Sequence, residues 1–150
     1  MGSRMMKNIK IKTSEKGNDV ISFSHSGSRS TCTHSSATTE LIRYCNKSVY
    51  FHSSSSQASR SAFIYSATED DFEILKRFLS NSNKFVTCGR KHIFSLDKVQ
   101  SYVDNGDVLS VDCVNKSYNI RVKDVSEIDD FINAMRDRLN NDDEDVVAND

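Results

Sequence analysis

The chain has 150 residues, of which 37% are hydrophobic and 27% charged, with a formal net charge of −1 and neither proline nor tryptophan. This composition indicates a soluble globular protein and excludes collagen-like, proline-linker and glycine-linker proteins. No apolar run approaches the roughly 18 residues of a membrane-spanning helix, and no segment typical of a secretory signal follows the basic start, so we expect a cytoplasmic protein. The abundance of Asn, Ser, Lys and Ile favours a phage, mobile-element or low-GC bacterial source.

Charge is distributed unevenly along the chain. Residues 1–62 contain nine Lys and Arg against three Asp and Glu, whereas residues 63–150 contain eleven against eighteen. A basic first half can indicate a nucleic-acid or acidic-protein partner. The simpler interpretation is that most of these cations lie in a flexible N-terminal segment, residues 1–19, which begins with a vector-derived leader and can form an edge strand.

Alternating polar and apolar residues predict strands in the first half. The stretch 20–26 alternates with Ile21, Phe23 and His25 on one face, as in a half-buried strand. The Ser- and Thr-rich stretch 27–38 is predicted to be a loop. Further predicted strands cover residues 40–45, 48–52 and 62–66, with a turn at Asn46-Lys47.

A helix is predicted over residues 69–80. Thr68 and Asp71 have the spacing of a capping box, and acidic residues fill the first turn, where the positive end of the helix dipole favours them. The residues expected to face the core are Phe72, Leu75, Phe78 and Leu79.

The second half carries the clearest pattern. Strands are predicted over 84–87, 91–95, 99–104, 107–113 and 117–123, and Asn105-Gly106 is typical of a type I′ hairpin turn. A second helix is predicted over 125–138, opened by an Asp124/Glu127 capping box. Its expected buried residues are Ile128, Phe131, Ile132 and Met135. Residues 140–150 contain five acids and no base, which predicts a disordered tail.

These elements predict an α+β fold in which a mostly antiparallel β-meander sheet packs against two helices. A single domain over residues 20–139 is the simplest organisation. A weak similarity between the two halves suggests an alternative, in which lobes 20–81 and 84–139 are two pseudo-repeated meander–helix units.

The cysteines and histidines show no metal-site spacing. Structural zinc sites normally contain two closely spaced ligand pairs, and this chain has no Cys-x-x-Cys motif. We therefore expect no metal and no cofactor, and reduced, mostly buried thiols at Cys32, Cys45, Cys88 and Cys113. Whether any of these thiols has a redox role stays open.

No catalytic motif is present either. The serines form no Gly-x-Ser-x-Gly elbow, and the isolated glycines form no phosphate-binding loop. Cys88 lies at the end of an apolar strand, which favours a core position over a nucleophilic one. We expect no catalytic residues and no enzymatic activity.

Two functions remain. The first is a non-enzymatic protein-interaction module, such as a small regulator or inhibitor, with a protein partner and with self-association as a further option. The second is a nucleic-acid-binding protein that uses the basic first half, where aromatic residues lie between cations. The candidate phosphate-contacting residues are Arg29, Arg43, Lys47 and Arg60.

Overall fold

The computed structural model describes residues 6–25, 27, 29–55 and 61–143, with the side chains of 125 and 139–143 left out of the description. The described residues form eleven strands and two helices, and every strand pair is antiparallel. The predicted α+β class with mostly antiparallel sheets is confirmed.

The strands form three sheets. A three-stranded sheet has the order β1-β2-β3, a five-stranded central sheet the order β6-β5-β4-β8-β7, and another three-stranded sheet the order β11-β10-β9. The first six strands are β1 (Met6–Thr13), β2 (Asp19–His25), β3 (Thr31–Ser35), β4 (Thr39–Cys45), β5 (Ser48–Ser53) and β6 (Ala62–Ser66). The other five are β7 (Phe85–Cys88), β8 (His92–Ser95), β9 (Val99–Asp104), β10 (Val108–Cys113) and β11 (Ser117–Arg121).

The central sheet has a hydrophobic core on each face. Because side chains alternate along a strand, Ile42 of β4 points to one face and Leu41 to the other. Ile42 belongs to a buried cluster with Phe23 of β2 and Phe72 of the first helix. Leu41 belongs to a second cluster with Val111 of β10 and Phe131 of the second helix. The central sheet is therefore covered by one small sheet and one helix on each side.

Helix α1 (Glu69–Leu79) begins as predicted. The Thr68 side chain accepts a hydrogen bond from the Asp71 N–H, and the Asp71 side chain accepts one from the Thr68 N–H, so the capping box is formed. Phe72, Leu75 and Leu79 are buried. Phe78 was expected in the core, but 46% of its surface is exposed. At 100° per residue it lies about 120° around the helix from Phe72, which places it at the rim of the apolar stripe.

Helix α2 (Asp129–Asp143) follows a 3₁₀ turn (Val125–Ile128). The predicted Asp124/Glu127 capping box is wrong, because Asp124 accepts from the Ser126 N–H instead and Glu127 pairs with Arg90. The expected core positions Ile128, Phe131 and Met135 are buried, and Ile132 is half-buried. The helix ends at Asp143, beyond the predicted end at residue 138, and the disordered tail stays a prediction. The remaining tail residues, 144–150, lie outside the described part.

Two segments of the first half differ from expectation. Residues 6–13, expected in a flexible segment with an edge strand as the alternative, form edge strand β1. Residues 31–35, expected in a loop, form β3, because each of them pairs with β2. Neither segment alternates over its whole length, and both pair with the well-patterned strand β2, which favours the strand conformation.

Type I′ geometry occurs at the Asn46-Lys47 turn and not at the Asn105-Gly106 turn for which it was predicted. Asn46 and Lys47 have φ angles of 51° and 60°, as a type I′ turn requires at both central residues. In the other hairpin Asn105 N–H donates to the Val108 carbonyl, so Gly106 and Asp107 are the central residues. Only Gly106 has a positive φ, at 94°, so the predicted type I′ turn at Asn105-Gly106 is wrong.

Each half of the chain contains a three-stranded meander followed by a helix, β4-β5-β6-α1 and β9-β10-β11-α2. The first meander lies in the central sheet, whereas the second forms a sheet of its own. The internal repeat and the division into lobes stay predictions.

Candidate nucleic-acid interface

The outer surface of the β1-β2-β3 sheet carries lysines and hydroxyl groups. Ile21 and Phe23 of β2 point into the core, so the side chains between them point outward. Strand pairing arranges the outward residues in three rows that cross the sheet. The rows are Lys7-Ser24-Thr31, Lys10-Ser22-Thr33 and Lys12-Val20-Ser35, and we call this surface the lysine face.

A β-bulge brings the three lysines onto one side. Lys10 and Lys12 are two residues apart and share a face, whereas Lys7 is three residues from Lys10 and would point inward in a regular strand. The register shifts between Lys7 and Lys10, so that three steps along β1 oppose two steps along β2. Asn8, with a φ of 56°, lies within this irregularity. The extra residue turns Lys7 outward, as bulges commonly do.

The lysine face is positive and open. All three lysines are exposed, and none forms an ion pair with a residue that the structure describes. Asp19 points inward, is 7% exposed and accepts a hydrogen bond from Ser82. The described residues of the face thus include no acid. A shallow hollow of about 340 Å³ lies on it and is lined by Asn8, Lys10, Lys12, Ser22, Phe23, Ser24 and Thr31.

The four predicted phosphate contacts do not form one surface in the described chain. Arg29 precedes β3 and lies at the Lys7 end of the lysine face. Arg43 lies on the opposite side of the central sheet, on the face that Leu41 and Cys45 share. Lys47 is exposed in the β4–β5 turn. Arg60 lies outside the described residues.

Arg43 is held by two neighbours on β5. Its guanidinium carbon lies 4.1 Å from the centre of the Tyr50 ring, and its Nε donates to Nε2 of His52 at 2.8 Å. On the other side His92 of β8 is its cross-strand partner. We call Arg43, Tyr50, His52 and His92 the Arg43 cluster.

The two histidines of this cluster are neutral near pH 7. Burial lowers the pKa of His52 to about 4, with smaller contributions from the Arg43, Lys116 and His92 charges. Burial likewise lowers the pKa of His92 to about 4, aided by Arg43 and Lys91. A neutral imidazole has one acceptor nitrogen, and in His52 this is Nε2, because it receives the Arg43 proton donor.

A buried carboxylate connects the central sheet to the β9–β11 sheet. Glu40 is fully buried at an irregularity in β4. It accepts hydrogen bonds from the N–H groups of Asn115 and Lys116 and, at 2.6 Å, from the Tyr118 hydroxyl. Burial and the bond to Glu40 raise the pKa of Tyr118. Both oxygens of Glu40 are therefore engaged in holding two sheets together.

The four cysteines differ in burial. Cys88 and Cys113 are buried, and burial raises the pKa of each thiol to about 12. Cys32 is half-buried and Cys45 is exposed, so the expectation of mostly buried thiols holds for two of the four. The four are unpaired, and the described residues contain no group of three or more His, Cys, Asp or Glu side chains able to hold a metal ion.

The sequence interpretation missed the lysine face. The alternation Ile9-Lys10-Ile11-Lys12 was a usable signal for two of its cations. Lys7 had no such signal, because its orientation depends on the bulge. The hydroxyl groups of β3 could be assigned to this face only once β3 was known to pair with β2.

No protein-family model matches this chain, and no curated protein matches it. Among solved structures, it is similar to the LytTr DNA-binding domain of a response regulator from Bacillus cereus. The identity is 12% and the TM-score 0.45, over 68% of this chain and 85% of the other. A likeness of that size carries no argument about function. Within the described residues, no helix combines the length and the apolar character needed to cross a membrane.

Proposed function

We propose that this chain is a non-enzymatic binding protein whose lysine face contacts the phosphate backbone of a nucleic acid. The observation that carries the proposal is the Asn8 bulge, which places Lys7 in phase with Lys10 and Lys12. In a regular strand the side chain of Lys7 would point to the opposite face of the sheet from Lys10 and Lys12. Lysines and hydroxyls are common phosphate contacts, and each row of the face begins with a lysine.

The composition of the face favours binding that does not depend on base sequence. Successive rows are about 6.8 Å apart along a β-strand. This is close to the rise of two nucleotides along the axis of a duplex. No aromatic side chain lies among the outward residues of the described face, so bases find no stacking platform. Arg29 extends the positive surface at its Lys7 end.

The test compares a triple variant, K7Q/K10Q/K12Q, with a charge-matched control at exposed positions away from the face, K47Q/R77Q/R136Q. Fluorescence anisotropy of a labelled duplex and a labelled single strand, measured over a range of salt concentrations, gives the affinity and its salt slope. Each phosphate contact contributes about 0.7 to 0.9 to that slope. We expect the lysine-face variant to lose about 2 to 3 from the slope and the control variant to lose much less.

Two outcomes would reject the proposal. One is equal loss in both triple variants, which would indicate diffuse attraction rather than a site. The other is binding of an acidic polypeptide, such as polyglutamate, by the unmodified chain when neither nucleic acid binds at the same ionic strength.

A protein-interaction module, such as a small regulator or inhibitor, is the second candidate. It is favoured by exposed Phe78, which lines one hollow with Ile74 and another with edge strand β1. A hollow of about 590 Å³ runs along Ile9–Thr13 and reaches Phe78, so a partner can contact both the strand edge and the aromatic ring. Replacing Phe78 with Ser should weaken capture of a protein partner from the native host after nuclease treatment, without lowering the thermal unfolding midpoint. Retained capture would reject this candidate.

A further inference from the structure

The Arg43 cluster has unused hydrogen-bonding capacity. Arg43 donates from Nε to His52, and its two terminal nitrogens make no hydrogen bond with a described residue and are not sealed from solvent. Its guanidinium has no carboxylate within ion-pair distance in the described part of the chain. A half-buried Arg that is fixed on one side and open on the other is arranged to receive an anion.

Two lysines and one buried acid lie in the region of the Arg43 cluster. Lys116 and Lys91 lie near enough to influence His52 and His92, respectively. The acid that shares this region, Glu40, is fully buried, and its oxygens accept hydrogen bonds from β11 and the turn before it. The exposed lysines that act on the histidines of the cluster are therefore Lys91 and Lys116.

We infer that the Arg43 cluster binds a phosphate group. The planar guanidinium offers two parallel N–H donors to two phosphate oxygens, a match that an ammonium group lacks. Tyr50 and His52 hold the guanidinium before the ligand arrives, so little side-chain entropy is lost on binding. Lys91 and Lys116 supply the remaining charge for a dianion.

This site is separate from the lysine face and does not depend on the proposed nucleic-acid function. The lysine face is the outer surface of the β1–β3 sheet, whereas Arg43 points away from the core that this sheet shares with the central sheet. Beside His92 a cleft of about 620 Å³ continues the site. Its charged lining residues are the cations Arg90, Lys91, Arg121 and Lys123 and the acids Glu69, Asp124 and Glu127, of which Glu127 pairs with Arg90.

The phosphate can belong to a small phosphate monoester or to a nucleic-acid backbone. We expect inorganic phosphate and adenosine monophosphate to bind saturably in NMR or calorimetric titrations at constant ionic strength. Displacement of phosphate by an oligonucleotide would assign the site to a backbone. Binding of adenosine monophosphate without such displacement would assign it to a small molecule. Either result supports the site.

Four variants locate the binding. We expect R43Q to weaken phosphate affinity at least about tenfold, as loss of charged hydrogen bonds predicts, and R43K to weaken it as well, because one ammonium cannot form the paired contact. Two controls should bind as the unmodified chain does. They are R77Q, at an exposed position of α1, and the lysine-face variant K7Q/K10Q/K12Q. Thermal unfolding checks each fold, and R43K carries the test if R43Q does not fold.

Three results would overturn the inference. The first is the absence of saturable phosphate binding at millimolar concentrations. The second is an equal loss in R43Q and R77Q. The third is loss of phosphate binding in the lysine-face variant, which would place the ligand on the other side of the molecule.

Discussion

The backbone N–H of Met6 donates to Oδ2 of Asp71 at 3.2 Å, and the same oxygen accepts the Thr68 N–H at 2.9 Å. One carboxylate therefore caps helix α1 and anchors the first residue of β1. Asp71 is 1% exposed, and its bond to Met6 is buried while its bond to Thr68 is partly buried. The edge strand that carries the three lysines is attached at its start to the helix cap.

Replacing Asp71 with Ala should destabilise the protein by about 2 to 3 kcal/mol, because it removes a cap and leaves buried donors unpaired. Urea unfolding measures the change. The neighbouring D70A variant, at an exposed position in the same helical turn, should cost about 0.5 kcal/mol or less. Equal effects would show that only helix-end charge matters.

Replacing Lys47 with Gly should stabilise the protein by about 0.5 to 1 kcal/mol. Lys47 has a φ of 60°, a conformation that glycine adopts without the steric cost of a Cβ atom. The K47A variant separates this effect from loss of charge, since Ala keeps the Cβ and should give no gain. A thermal midpoint that rises equally for both variants would contradict the steric explanation.

Replacing Glu40 with Ala should destabilise the protein by about 3 kcal/mol or more, because three donors lose a buried acceptor. The Y118F variant should cost only about 1 to 2 kcal/mol, since Glu40 keeps both backbone donors. In the double variant the costs should be less than additive. Additive costs would show that the Glu40–Tyr118 bond contributes little.

Stability should fall as the pH is lowered from about 6.5 to 4. Burial lowers the pKa values of His34, His52 and His92 to about 4, so in this range the unfolded chain binds protons that the folded chain does not. Each histidine contributes at most about 1.4 kcal/mol per pH unit, and less where water screens the charge. Urea unfolding at several pH values measures the slope, and H52Q should flatten it. An unchanged slope in H52Q would show that His52 does not take part.

Local patterns predicted most of the fold but not the sites. Phe72, Leu75 and Leu79 could be assigned to a core because a helix repeats every 3.6 residues. The same repeat could not exclude Phe78 from the core. Phe78 lies at the edge of the apolar face of the helix, and only the packing of the folded protein shows where that edge is. Strand β3 has no apolar period, so only its pairing with β2 reveals it.

Both proposed sites depend on pairing between strands and not on local sequence alone. Strand alternation alone is enough to put Arg43 on the same face as Leu41, but His52 and His92 reach Arg43 only through β5 and β8. Likewise, no local pattern distinguishes a bulge at Asn8 from a regular strand that would hide Lys7. Residue type was therefore enough to identify Arg43 as a candidate phosphate contact, whereas its neighbours depend on the order of strands in the central sheet.

The pairing of β4 with β8 also matters during synthesis, because the two strands are far apart in the sequence. Strands β4, β5 and β6 leave the ribosome well before His92–Ser95, the segment that pairs with β4. Until then β4 presents unpaired N–H and C=O groups, and Leu41 lacks its cross-strand neighbour Phe94. A nascent chain with such an open edge can pair with a neighbouring copy on the same message. The half-synthesised chain is therefore the state in which pairing between copies is most favoured.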